Sequence, residues 1–117
     1  MRFRRLLIAP LLPVLGGCDP AYENEISRDL TSPDGSHRVV LFSRNCGATT
    51  GFNTQATILR KDEHLFDEGG NAFVLDGQDS AQVSWTLGGR LSVEIADDVA
   101  ILKKDNPVRG IEIDYSR

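Results

Sequence analysis

The sequence predicts an all-β fold. The expected form is a small antiparallel β-sandwich or partly open barrel of about seven strands, set after an N-terminal signal peptide. Three observations predict it. Apolar and polar residues alternate with period two through the second half of the chain, the signature of half-buried strands. Gly-, Pro- and Asp-rich turn signals recur at short spacing. The chain has 117 residues and 40% apolar composition, which is room for one core and too little for a Rossmann or barrel enzyme.

Residues 1–17 read as a signal peptide. Arg2, Arg4 and Arg5 form a basic start, and Leu6 to Leu15 is an apolar run broken by Pro10 and Pro13. The run is shorter than the roughly 20 residues that span a bilayer. Leu15-Gly16-Gly17-Cys18 follows. It resembles the bacterial lipobox, in which the Cys thiol receives a diacylglycerol and a peptidase cuts before the Cys. That resemblance implies lipidation at Cys18 and a protein held on a bacterial membrane, facing the periplasm. Asp19 favours the inner membrane in the same resemblance. Loss of residues 1–17, with their three arginines, would leave 100 residues and move the formal charge from −4 to −7. The alternative is an exported protein whose Cys18 pairs with Cys46. Residues 18–25 carry the lipid and then a tether containing Pro20, without periodicity. Residues 26–117 read as a single β domain.

Within that domain, Ser32-Pro33-Asp34-Gly35 is a turn: Pro fixes φ, Asp bonds its own backbone and Gly tolerates positive φ. Strands are expected at Ser36–Arg44 and at Phe52–Arg60. Asn45–Gly51 forms a Gly-rich connection between them. Lys61 to Asn71 is a charged loop closed by Gly69-Gly70-Asn71, and Ala72–Asp76 is a short strand. Ala81, Val83, Trp85 and Leu87 then alternate with polar residues. Gly88-Gly89 suggests a two-residue hairpin turn, after which Leu91, Val93 and Ile95 alternate in turn. Val99–Leu102 suits a strand or a turn of helix. Ile111, Ile113 and Tyr115 mark a last strand. Trp85, Phe42, Phe52, Phe73 and Tyr115 are the large side chains expected in the core.

Function is less legible. A net charge of −4 argues against a nucleic-acid binder, because phosphates are held by Lys and Arg. The most distinctive segment is Arg44-Asn45-Cys46-Gly47-Ala48-Thr49-Thr50-Gly51-Phe52. It resembles a Cys-Gly-Ala-Thr-Thr-Gly-aromatic segment of small, uncharacterised bacterial lipoproteins and envelope proteins. In that resemblance Ser32–Gly35 precedes the segment, and Gly69-Gly70-Asn71 and then Val83-Ser84-Trp85 follow it. It implies a fold and a compartment but no reaction.

Cys46 is the only thiol left after lipidation. It is a buried small hydrophobe, a redox or disulfide partner, or a nucleophile whose thiolate Arg44 would favour. A nucleophile needs a base. His37 would lie roughly 30 Å away, at the other end of its strand, and His64 is no better placed. Thr49, Thr50 and Gly51 offer hydroxyls and amides to a ligand, without the spacing or lysine of a phosphate loop. The acidic loop Asp62-Glu63-His64…Asp67-Glu68 lacks the spacing of a calcium loop. No Gly-x-Ser-x-Gly accompanies a Ser-His-Asp set.

These residues predict no cofactor, no metal and no catalytic group. They predict a non-enzymatic binding or accessory module that contacts another envelope protein. The candidate contact residues are Cys46, Gly47, Thr49, Thr50, Gly51 and Phe52, with loop 62–71 as a second surface. The alternative function is a thiol-dependent envelope protein acting through Cys46.

Overall fold

A computed structural model of the chain describes residues 25–45, 51–65 and 69–117. Eight strands follow in order: β1 (Glu25–Thr31), β2 (His37–Asn45), β3 (Phe52–Arg60), β4 (Phe73–Asp76), β5 (Ala81–Trp85), β6 (Leu91–Ile95), β7 (Ile101–Lys104) and β8 (Ile113–Ser116). One sheet has the order β1-β2-β3-β4-β7 and the other β5-β6-β8. The expected all-β sandwich is what the chain forms, with no helix among the described residues.

The strand that alternation does not reveal is β1. Its sequence is mostly polar, and Leu30 is its one residue packed against the main core. As an edge strand it needs only one buried contact, because pairing with β2 supplies its ladder. The central pair, β2 and β3, runs in unbroken register from His37↔Arg60 to Asn45↔Phe52. Val39, Leu41, Ala56 and Ile58 turn toward the smaller sheet and join Val83, Val93 and Ile113 in one core. The other face of this pair is also covered. Val40, Phe42 and Leu59 form a second cluster with Leu65 against it.

Two details differ from the sequence reading. The β5–β6 turn is a three-residue loop, not the two-residue turn suggested by Gly88-Gly89. The Gly89 amide donates to the Thr86 carbonyl and the Thr86 amide to the Arg90 carbonyl, with Gly89 at φ +82°. That is a β-turn followed by a left-handed residue, which glycine adopts without strain. Leu87 is therefore at the loop tip, 99% exposed, rather than on the apolar face. Second, β8 pairs with β6 in parallel. The chain leaves β6, crosses to the other sheet as β7, and returns as β8 running the same way. A stretch of that length permits a parallel neighbour, which a tight hairpin cannot.

Phe42 and Phe73 are fully buried, as expected of core aromatics, but Phe52 is 40% exposed at the end of β3. Trp85 packs beside the core and ties the sheets together: its Nε1 donates to the Leu30 carbonyl at 2.9 Å. Tyr115 meets Phe73 edge-on, at 6.2 Å between ring centroids, and its hydroxyl donates to the Asp105 carbonyl at 2.6 Å. Burial first, and then the Asp105 carboxylate, push the Tyr115 phenol up to about 12.

A raised folded-state pKa favours the neutral form. The contribution is complete below pH 10 and is lost as pH rises through about 12. A spectrophotometric phenolate titration should show one of the two tyrosines, Tyr22 and Tyr115, ionising near 12. Tyr115→Phe should abolish that component. Its survival in the variant would refute the assignment.

Candidate functional site

Cys18, Cys46, Gly47, Ala48, Thr49 and Thr50 lie outside the described residues. What the structure describes is the frame that holds the candidate segment. Asn45 and Phe52 are the last register pair of the β2–β3 hairpin, so residues 46–51 connect the two strands at one end of the larger sheet. Gly51 has φ +68°, a conformation that a Cβ would strain. Phe52 beside it is exposed.

This end is firmly stitched. The Gly77 amide donates to the Phe52 carbonyl at 3.1 Å. Thr54 Oγ1 donates to the Gly77 carbonyl at 2.6 Å and accepts from the Ser80 amide at 3.1 Å. Ser80 Oγ closes the turn onto the Asp76 carbonyl at 2.6 Å. The hydroxyls of Thr54 and Ser80 thus fasten the β4–β5 turn to β3, and Phe52 projects from a rigid base.

A row of polar residues runs inward from this end. Arg44, Asn53 and Gln55 are all buried, although the alternation of β3 sets Asn53, Gln55 and Thr57 opposite its apolar face. Over Gln55 and Thr57 lies the returning end of the charged loop, Gly69 to Asn71. Gln55 Nε2 donates to Asn53 Oδ1 at 2.8 Å, and Gln55 Oε1 accepts from the Gly70 amide at 2.7 Å. Asn71 replaces a strand: its Oδ1 accepts from the Ile58 amide at 2.8 Å and its Nδ2 donates to the Ile58 carbonyl at 3.0 Å. The pairing of β4 with β3 ends at Ala56, so this amide continues the ladder where the strand stops. Gly69-Gly70-Asn71 was the available signal for this cover.

The acidic loop is accordingly less free than its composition suggests. Glu63 Oε1 accepts from the Arg60 amide at 2.7 Å, and Oε2 pairs with Arg109 at 2.6 Å. The Arg60 amide, and secondarily the Arg109 guanidinium, hold the Glu63 carboxyl below its usual range. Arg38 donates to the Lys61 and Glu63 carbonyls and pairs with Asp29 at 3.1 Å. Loop 62–71 leaves β3 at the end opposite Phe52, then returns to Gly70 at the level of Ala56. Thr57, Leu59, Glu63, His64, Asn71 and Arg109 line a cleft of about 240 Å³ beneath it. Thr57 Oγ1 is buried there without a hydrogen-bond partner among the described residues.

Ser, His and Asp do meet in one place, at the Ser32–His37 turn. Asp34 Oδ1 accepts from Ser32 Oγ at 2.8 Å, from the Ser36 amide at 3.0 Å and from Ser36 Oγ at 2.7 Å. The Ser36 amide first, and then the two hydroxyls, lower the Asp34 carboxyl to about 2. Ser36 Oγ lies 2.7 Å from His37 Nδ1. The order is wrong for a catalytic relay, in which the carboxylate holds the imidazole and the other ring nitrogen activates the hydroxyl. Here the carboxylate holds the hydroxyls, and the set is a turn lock.

His37 and Asn45 stand at opposite ends of β2, as the sequence reading of the hairpin requires. Among the described residues no group of three or more His, Cys, Asp or Glu side chains converges. No helix among them is long and apolar enough to cross a membrane. Comparison of the chain with protein-family models, with curated proteins and with solved structures returns no significant match to any of them.

Proposed function

We propose that the chain is a membrane-anchored bacterial lipoprotein whose β domain serves as a non-enzymatic binding or accessory module of the cell envelope. The observation that carries this reading is Leu15-Gly16-Gly17-Cys18, set behind a basic, apolar leader and seven residues ahead of the first strand. Several acyl chains on one cysteine, at about 0.8 kcal/mol per buried methylene, anchor a protein firmly. The described polar clusters support a binding role over a catalytic one. The Asp34 and Glu63 carboxylates and the Asn71 amide are each engaged in holding backbone in place.

Intact-mass measurement of detergent-extracted protein should give residues 18–117 plus a triacyl adduct. Cys18→Ala should remove the adduct and move the protein from the membrane to the soluble fraction. A wild-type chain that is unlipidated, and lighter by the hydrogens lost to a Cys18–Cys46 disulfide, would overturn the proposal.

A further inference from the structure

The last strand on each side of a sheet has one side unpaired, and an unpaired side is a template for a further strand. Among the described residues the larger sheet ends in β1 and β7 and the smaller in β5 and β8. Three of these four edges are guarded. β1 skips Ser27 in its register with β2 and carries Glu25, Arg28 and Asp29. β7 skips Leu102 in its register with β4 and carries Lys103 and Lys104. β8 carries Asp114, and the Asn106 side chain occupies its Ile113 amide. Bulges, charges and covering groups are the usual means by which an edge avoids a new strand.

β5 has none of them. Ala81-Gln82-Val83-Ser84-Trp85 is uncharged and contains no proline. Its register with β6 is unbroken from Ala81↔Ile95 to Trp85↔Leu91. The direction of its free backbone groups follows from the ladder. The Thr86 amide donates to the Arg90 carbonyl, and the Ala96 amide to the Ser80 carbonyl. Bonding residues alternate along an antiparallel strand. Gln82 and Ser84 therefore bond to β6, and Ala81, Val83 and Trp85 turn their amides and carbonyls away from it. The Trp85 side chain serves the inner layer, with Nε1 on the Leu30 carbonyl of the larger sheet.

The strand is complementary to a second copy of itself. About a two-fold axis at Val83, Val83 meets Val83 of the other copy, Ala81 meets Trp85, and Gln82 meets Ser84. Every outward-facing residue then exchanges bonds with another, about six backbone hydrogen bonds in all. No like charges face one another, and the small residue lies opposite the large one. We propose that two copies of the chain pair antiparallel through β5, joining their three-stranded sheets into one continuous sheet. Such a contact uses the same patch on both copies and closes as a dimer. The inference does not rest on the lipid anchor.

The test uses Gln82 and Ser84, which are exposed on the outer face of β5. Gln82→Lys with Ser84→Lys sets lysine against lysine twice across the two-fold axis. Gln82→Lys with Ser84→Glu sets lysine against glutamate at the same places. Within one chain Gln82 faces Glu94 and Ser84 faces Ser92, so neither variant opposes like charges there. Sedimentation equilibrium of the detergent-extracted proteins, in density-matched detergent over a concentration series, reads the association. The wild-type chain should show a monomer–dimer equilibrium. The double-lysine variant should dimerise about tenfold more weakly, and the lysine–glutamate variant at least as tightly as wild type. A wild-type chain that stays monomeric throughout overturns the proposal. Acyl chains and Cys46 are common to all three proteins, so association through either would leave the variants equal to wild type, which also overturns it. A lysine–glutamate variant as weak as the double-lysine one does the same.

Discussion

Gly70→Ala should destabilise the domain by about 3 kcal/mol or more. A Cβ at Gly70 would lie 2.6 Å from the Ala56 carbonyl oxygen, 2.9 Å from the Ala56 amide nitrogen and 2.9 Å from the Phe73 carbonyl oxygen. All three atoms are backbone, and they belong to β3 and β4 where those strands pair. No flexible side chain can swing aside, so relief requires moving Gly70 off the sheet. That movement would break its bond to Gln55 Oε1 and disturb the Asn71 amide on Ile58. The buried amide of Gln55 would lose a partner, which costs about 1–3 kcal/mol by itself.

Gly88→Ala is the control. Its nearest neighbour to an added Cβ is Thr86 Oγ1 at 3.9 Å, an ordinary contact. Urea unfolding of the purified variants reads both. A Gly70→Ala loss no larger than that of Gly88→Ala would show that the loop does not lie on β3 as described.

Phe73→Ala should cost about 3–5 kcal/mol, the usual range for removing a buried aromatic ring. Phe73 is fully buried on β4, and its ring meets Tyr115 of the other sheet edge-on. Its loss removes packing from both layers at once and leaves a cavity that neither sheet can close without shifting. The Tyr115 hydroxyl, bonded to the Asp105 carbonyl, holds that ring in place and limits collapse into the space. Phe73→Leu keeps most of the volume and should cost clearly less. Unfolding free energies for the two variants check the order. Equal losses, or a loss below about 1 kcal/mol for Phe73→Ala, would contradict the packing described.

Most of the fold is legible in the chain because its strands are half-buried. Ala81, Val83 and Trp85, and then Leu91, Val93 and Ile95, alternate so regularly that β5 and β6 follow from period two alone. The limits of β3 follow as directly. β1 does not, because an edge strand held by backbone pairing needs few apolar residues, and Glu25–Thr31 has little to mark it. The hairpin tip misled for a local reason. Gly88 and Gly89 look like a complete turn, but only Gly89 takes positive φ, and Leu87 is drawn into the loop.

By itself the sequence determined the two-layer β architecture and the hairpin that carries residues 46–51 at its end. Each rests on local chemistry: alternation and turn residues. Only the tertiary structure decided the fate of the outer face of β3. Asn53, Gln55 and Thr57 alternate with the apolar face of β3, yet all are buried. Over Gln55 and Thr57 the cover comes from residues 69–71, and its fit depends on Gly70 having no side chain and on Asn71 matching the backbone of Ile58. The tertiary structure likewise decided that Phe52 is exposed and that β5 stands at the edge of its sheet. Strand order and register set that neighbourhood, and neither is written in the spacing of residues along a single strand.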